Sequence, residues 1–82
     1  MRRIKKLSLS AKARGVKLGV YEHFKGNRYR VIGVAFHSET LAEMVVYRRI
    51  GGDRHLSVRP LAMFLETVER GGKRVKRFRY CP

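Results

Sequence analysis

From Gly19 onward, short runs of apolar and β-branched residues alternate with turn residues. Such runs, bounded by Gly, Asn or Asp, are typical of the strands of small β proteins. The pattern predicts five strands, which cover residues 20–24, 28–36, 44–50, 55–59 and 74–80. Tight hairpins need residues that tolerate positive φ. Three hairpin turns are therefore expected, at Gly26-Asn27, Gly51-Gly52 and Gly71-Gly72.

Three further features refine this picture. Gly33, inside the second strand, predicts a bulge or a sharp bend. Thr40 and Glu43 have the spacing of a helix capping box, which predicts one helical turn through Leu41-Ala42. The apolar run 61–65 is too short for its period to be classified, and we expect a helical turn there that runs into a strand through Val68. The predicted fold is mainly all-β, an SH3-like barrel or a curled antiparallel sheet with at most one short helical turn.

Residues 1–18 show no regular period, because their few apolar residues are scattered among cations. We therefore predict a flexible basic arm over residues 1–18, which forms at most a helical turn on a partner. Residues 19–80 form the single small β domain, and its C-terminal hairpin is basic. The arm's acid-free composition also fits an organelle transit peptide. The equally basic C-terminal end favours a binding arm in a cytoplasmic protein.

The net charge of +14 is carried almost entirely by the two ends. Residues 1–18 hold seven basic residues and residues 70–82 hold six, with no acid in either segment. Like charges at the ends repel each other and do not help folding, so their expected use is to meet a polyanion. We predict a non-catalytic nucleic-acid-binding module, with RNA (including ribosomal RNA) slightly favoured over DNA. The predicted contacts are Arg2, Arg3, Lys5, Lys6, Lys12, Arg14, Lys17, Lys73, Arg74, Lys76, Arg77, Arg79 and Tyr80.

Aromatic residues in the strands have two interpretations. Sheet-face aromatics are stacking platforms in single-strand nucleic-acid binders, but they also form cores. The strand aromatics in question are Tyr21, Tyr29, Phe36, Tyr47 and Phe64. Phe78 and Tyr80 alternate with Arg77 and Arg79, so basic and stacking groups are interleaved at the C-terminal end. Packing of one strand face explains Phe78 and Tyr80 equally well.

A second hypothesis is a small-molecule or protein-interaction module. Its ligand pocket would combine the polar loop His37-Ser38-Glu39-Thr40 with Tyr47 and Arg59. The same loop residues can instead cap backbone amides. Arg59 either pairs internally with Glu39 or Glu66, or grips a phosphate or carboxylate bidentately.

The sequence lacks the residue patterns that other functional classes of protein require. Cys81 is the single cysteine, so no internal disulfide is expected. The three histidines match no zinc spacing, no Walker-type loop is present, and no nucleophile has an evident base. We therefore expect no metal, no cofactor and no enzymatic activity. No apolar run approaches the ~20 residues of a membrane helix. The oligomeric state stays open.

A series of short motifs runs from Gly19 to Tyr80. The motifs comprise Tyr21, His23-Phe24-Lys25-Gly26, Tyr29, Gly33-Val34-Ala35, His37-Ser38-Glu39-Thr40-Leu41, Val45-Val46-Tyr47-Arg48, Val58-Arg59-Pro60-Leu61, Met63-Phe64, Glu66 and Arg77-Phe78. In these motifs the chain resembles a short bacterial family catalogued as a domain of unknown function (number 1653). The resemblance implies a compact β-rich domain and brings no activity. The basic arm is extra, and Lys76 stands where the family often has Pro, so a function of the cationic ends would be particular to this protein.

Overall fold

The computed structural model describes residues 7–82. Seven strands and two short helices make up this part of the chain. They are α1 (Ala11–Arg14), β1 (Gly19–His23), β2 (Arg28–Phe36), β3 (Glu43–Arg49), β4 (Leu56–Pro60), α2 (Leu61–Leu65), β5 (Thr67–Arg70), β6 (Lys73–Lys76) and β7 (Phe78–Cys81).

Five strands form one antiparallel sheet in the order β4-β3-β2-β1-β7, and β5 and β6 form a separate hairpin. The predicted mainly-β class is confirmed, and the curled sheet is the form that the chain adopts. Within residues 7–82 the two edge strands, β4 and β7, do not pair with each other, so the sheet does not close into a barrel.

The hairpin turns and the bulge are confirmed at their predicted positions. Gly71 and Gly72 have φ values of 57° and 78°, and two successive positive φ values are what a two-residue hairpin of type I′ requires. The register between β2 and β3 shifts between Val31 and Gly33, so Ile32 is the extra residue of a bulge.

Two details of the predicted elements are wrong. The capping box does not start a helix, because Leu41 has a φ of 62° and Glu43 already belongs to β3. Two short helices are present rather than at most one: α2 was expected, and α1 is additional.

The last predicted strand is also divided, at Arg77. The amide of Arg77 donates to the carbonyl of Glu66, and its own carbonyl accepts from the amide of Phe24. Arg77 therefore carries the chain from the β5–β6 hairpin to the edge of the main sheet.

The core lies on one face of the main sheet, beneath both helices. Its centre is aromatic: the rings of Phe64 and Phe78 stack at 4.4 Å, and the ring of Tyr21 meets Phe64 edge-on at 5.2 Å. The buried residues are Ala13, Tyr21, Val31, Val45, Tyr47, Leu61, Phe64 and Phe78. Aromatic side chains bury large areas, and offset or edge-on ring pairs add about 0.5–1.5 kcal/mol each. Tyr21, Tyr47 and Phe64 thus belong to the core rather than to a stacking surface.

Candidate nucleic-acid interface

An open cleft lies between the N-terminal segment and the C-terminal hairpin. Its volume is about 570 Å³, and its apolar floor includes Phe64 and Phe78. Lys12 and Lys17 approach from one side and Lys76 approaches from the other, and none of the residues 7–82 that line it is acidic. We call this site the lysine cleft. Cations from both basic ends of the sequence therefore converge on one surface.

The N-terminal wall of the lysine cleft is held by a clamp around Ser10. The amide of Ser10 donates to Oε2 of Glu43 at 2.6 Å, and its hydroxyl donates to Oε1 at 2.7 Å. The same hydroxyl accepts from the amide of Ala13 and caps α1. These bonds to the carboxylate hold the pKa of Glu43 below its usual range.

Burial of apolar side chains also holds the N-terminal segment against the core. Ala13 is only 2% exposed, and Leu9 and Val16 pack against the core. The hydroxyl of Tyr21 donates to the carbonyl of Lys17 at 2.8 Å, and burial raises the pKa of this phenol. Residues 9–17 of the predicted arm therefore lie against the domain. Arg2, Arg3, Lys5 and Lys6 lie outside the described residues.

Tyr80 supplies the partly accessible aromatic ring of the cleft. It is half-buried and leans on Tyr21 at a centroid distance of 5.3 Å. Nζ of Lys17 lies 5.2 Å from the centre of the Tyr80 ring, within cation–π range. A basic and an aromatic group are thus in contact at this end of the cleft, the two kinds of side chain that single-strand binders combine.

The structure separates the cations that were predicted together at the C-terminal end. Arg77 donates from Nε and Nη2 to Oε1 of Glu66, and Arg79 lies 3.4 Å from Oε1 of Glu22. Arg74 donates to the hydroxyl of Thr67. Within residues 7–82, Lys73 and Lys76 have no carboxylate within ion-pair distance. Lys76 is the member of this group that lines the cleft.

Comparison with known proteins places the chain in a family. The family model described as "Protein of unknown function (DUF1653)" matches residues 19–80. The chain belongs to this family. A crystal structure of a family member from Bordetella bronchiseptica is 35% identical, with a TM-score of 0.78, over 84% of this chain and 91% of that chain. The search of curated proteins found no significant match.

Several residues that carry the family resemblance lie in or against the aromatic core. His23 is one of them: its ring packs edge-on against Phe78 at 5.0 Å, and its Nδ1 accepts from the amide of Lys25. Burial, followed by the nearby charges of Arg59, Arg77 and Lys25, lowers the pKa of His23. The DUF1653 residues thus build the scaffold, whereas Lys12 and Lys17 of the cleft precede the matched segment.

The loop 37–40 of the second hypothesis is an exposed, internally bonded turn. Nδ1 of His37 accepts from the amides of Glu39 and Thr40, and the hydroxyl of Thr40 accepts from the amide of Ala42. Ser38 is exposed as well. Thr40 thus has the capping role that was one of its two interpretations, and the other amides of the loop are capped by His37 rather than by Ser38.

Arg59 uses neither of its two predicted acidic partners. Its Nε donates to the hydroxyl of Tyr47 at 3.2 Å, and its guanidinium lies 5.5 Å from the centre of the Phe78 ring. Glu66 is paired with Arg77 instead. Of the two interpretations of Arg59, the structure does not show the internal ion pair, because Arg77 occupies the carboxylate of Glu66.

The residues that position the cleft could not be found from the sequence. Ser10 had no predicted role, and Glu43 was assigned to a local capping box rather than to a partner 33 residues away.

No helix within residues 7–82 is long and apolar enough to cross a membrane. The same residues contain no group of three potential metal ligands.

Proposed function

We propose that this protein is a non-catalytic nucleic-acid-binding module that holds a single strand in the lysine cleft, with RNA slightly favoured over DNA. One observation carries the proposal: Lys12 and Lys17 from one basic end meet Lys76 from the other in a cleft without acids. Separate solvated tails would not have to converge in this way. The proposal places the protein in the cytoplasm, as the composition led us to expect.

On this proposal the lysines bind phosphates and Tyr80 binds a base. The three ammonium groups would neutralise phosphates, which supplies affinity without reading sequence. Tyr80 would stack on a base, and base stacking on an aromatic side chain is worth about 1–3 kcal/mol. Stacking of this kind needs unpaired bases, and RNA is most often recognised in its single-stranded segments.

The test is a salt series with a fluorescently labelled single-stranded RNA, read by anisotropy. If the two basic ends together neutralise about six phosphates, three of them at the cleft lysines, log K should fall against log salt with a slope near −4, since each contact contributes about −0.7. The variant Lys12→Gln/Lys76→Gln should flatten that slope by about 1.4 units and weaken binding several-fold. A DNA strand of the same sequence should bind slightly more weakly.

A charge-matched control distinguishes RNA binding in the lysine cleft from non-specific attraction of RNA to the positive charge of the protein. Lys25→Gln/Arg70→Gln also removes two cations, and neither residue lines the lysine cleft. This control should retain most of the parent's affinity. A flat salt slope, or equal weakening by both double variants, would remove the lysine cleft as the binding site.

A single observation supports the second hypothesis, a small-anion or peptide site at Arg59. This side chain is half-buried, and within residues 7–82 no carboxylate lies within ion-pair distance of it. On this hypothesis Arg59→Met abolishes binding of a small anion such as citrate, whereas Lys12→Gln/Lys76→Gln leaves that binding unchanged. On the nucleic-acid hypothesis Arg59→Met leaves RNA binding nearly unchanged, whereas Lys12→Gln/Lys76→Gln weakens it.

A further inference from the structure

Two arginines face each other on the outer surface of the main sheet. Arg30 in β2 is the direct cross-strand partner of Arg48 in β3. Their neighbours Val31 and Tyr47 point into the core, so both arginines point to the opposite face. Like charges directly opposite each other destabilise a sheet. This arrangement costs stability unless an anion lies between the two guanidinium groups.

The surroundings form a pocket around these charges. Arg30, Arg48, Arg49 and Arg54 line an open cavity of about 350 Å³ together with the Gly51-Gly52 turn, and no acid lines it. Arg49 is engaged, because its Nη2 donates to the side-chain oxygen of Asn27 at 3.1 Å.

The other three arginines have no such partner in the described chain. Within residues 7–82, Arg30, Arg48 and Arg54 form no ion pair, although Asp53 lies in the same turn. Nearby Glu22 is already shared between Arg28 and Arg79. The three guanidinium groups therefore concentrate positive charge in a cavity that offers them no carboxylate.

We propose that Arg30, Arg48 and Arg54 form a binding site for a terminal phosphate group, which we call the arginine pocket. Guanidinium groups match phosphate oxygens with paired hydrogen bonds. A terminal phosphate carries about −1.5 to −2 charges at neutral pH, compared with −1 for a phosphodiester, so it suits three clustered cations better. The ligand is inorganic phosphate, a nucleoside monophosphate or the 5′-phosphate of an oligonucleotide.

The arginine pocket is independent of the lysine cleft. The cleft is lined by Tyr21 and Phe78 of the core face, and the pocket shares none of its lining residues with the cleft. Failure of one site therefore leaves the other intact, and the two proposals are tested by different variants.

The experiment measures thermal unfolding of the full chain at constant ionic strength, with chloride exchanged for phosphate. A ligand that binds only the folded state raises the melting temperature by mass action. Phosphate should stabilise the parent, and Arg30→Gln/Arg48→Gln should lose this response. The Lys25→Gln/Arg70→Gln control and the Lys12→Gln/Lys76→Gln cleft variant should keep it. Arg54→Gln, in an exposed turn, provides a second variant that does not touch a strand.

A second measurement locates the ligand and identifies its source. Phosphate and adenosine monophosphate, added in turn, should shift the amide resonances of Gly51 and Gly52. Titrated on the same resonances, a 5′-phosphorylated oligonucleotide should bind with a dissociation constant at least about tenfold lower than that of its 5′-hydroxyl form, which corresponds to about 1.4 kcal/mol. A phosphate response that is absent in the parent, kept in Arg30→Gln/Arg48→Gln, or lost equally in the control would overturn the proposal.

Discussion

The pair between Arg77 and Glu66 gives a quantitative test of how the two sheets are joined. Arg77 lies between β6 and β7, and two of its nitrogens donate to one oxygen of Glu66, with the Nε contact at 2.9 Å. Its guanidinium also lies 6.0 Å from the centre of the Phe24 ring. We predict that Arg77→Met lowers the free energy of unfolding. Methionine keeps much of the apolar volume, so the change isolates the charged contact.

The size of the effect follows from the exposure of the two side chains. The side chain of Arg77 is 22% exposed and that of Glu66 is 40% exposed, so the carboxylate can regain water when its partner is removed. Fully exposed pairs contribute about 0–1 kcal/mol, whereas breaking a buried pair costs about 3–5 kcal/mol. We expect about 1 kcal/mol here, because solvent screens most of the interaction. In a domain of this size that loss lowers the melting temperature by roughly 4–8 °C.

The assay is a double-mutant cycle with Arg77→Met, Glu66→Gln and the combined variant, measured by urea unfolding. The coupling energy should be about 0.5–1 kcal/mol. RNA affinity of Arg77→Met should stay within about twofold of the parent, because Glu66 already compensates this charge and salt screens the remainder. A coupling energy near zero, or one above about 3 kcal/mol, would refute the reasoning from partial exposure.

Two further predictions concern the Ser10 clamp and the half-buried His23. Ser10→Ala removes the cap of α1 and should lower the free energy of unfolding, measured in urea, by about 1 kcal/mol. The RNA affinity of this variant should also fall, because Lys12 and Lys17 lose their fixed position. An RNA affinity equal to that of the parent would contradict this role of Ser10. The pKa of His23 is lower in the folded protein than the 6.5 of an unperturbed histidine. As pH falls below about 6.5 the unfolded chain therefore binds the proton first, and the free energy of unfolding should decline. Measured at pH 7.5 and 5.5, this decline should be smaller in His23→Gln, and an equal decline would exclude His23 as its cause.

The strands and turns could be predicted because their signals are local. Positive-φ glycines mark the hairpins at Gly26, Gly51 and Gly71-Gly72, and Gly33 marks the bulge. The division of the last strand at Arg77 had no such signal, because the segment contains no glycine or proline at that point. It arises from hydrogen bonds to residues that are distant in sequence.

The candidate sites depend on distances that the sequence does not contain. Lys12, Lys17 and Lys76 were each predicted as contacts, but their convergence requires the docking of α1 through Ser10 and Glu43. The pairing of Arg30 with Arg48 likewise depends on the register of β2 and β3.

The position of β7 in the sheet sets the order in which a growing chain can fold. Val20 of β1 pairs with Cys81 of β7, whereas the other neighbours in this sheet are consecutive strands. While the chain is still being synthesised, β1 has its partner β2 but not β7. Phe64 then lacks the stacked ring of Phe78, and Tyr21 lacks the ring of Tyr80. Long-range pairing of this kind slows folding. The nascent chain therefore completes this sheet only after Cys81 has left the ribosome, and until then the exposed aromatic side chains are available to chaperones.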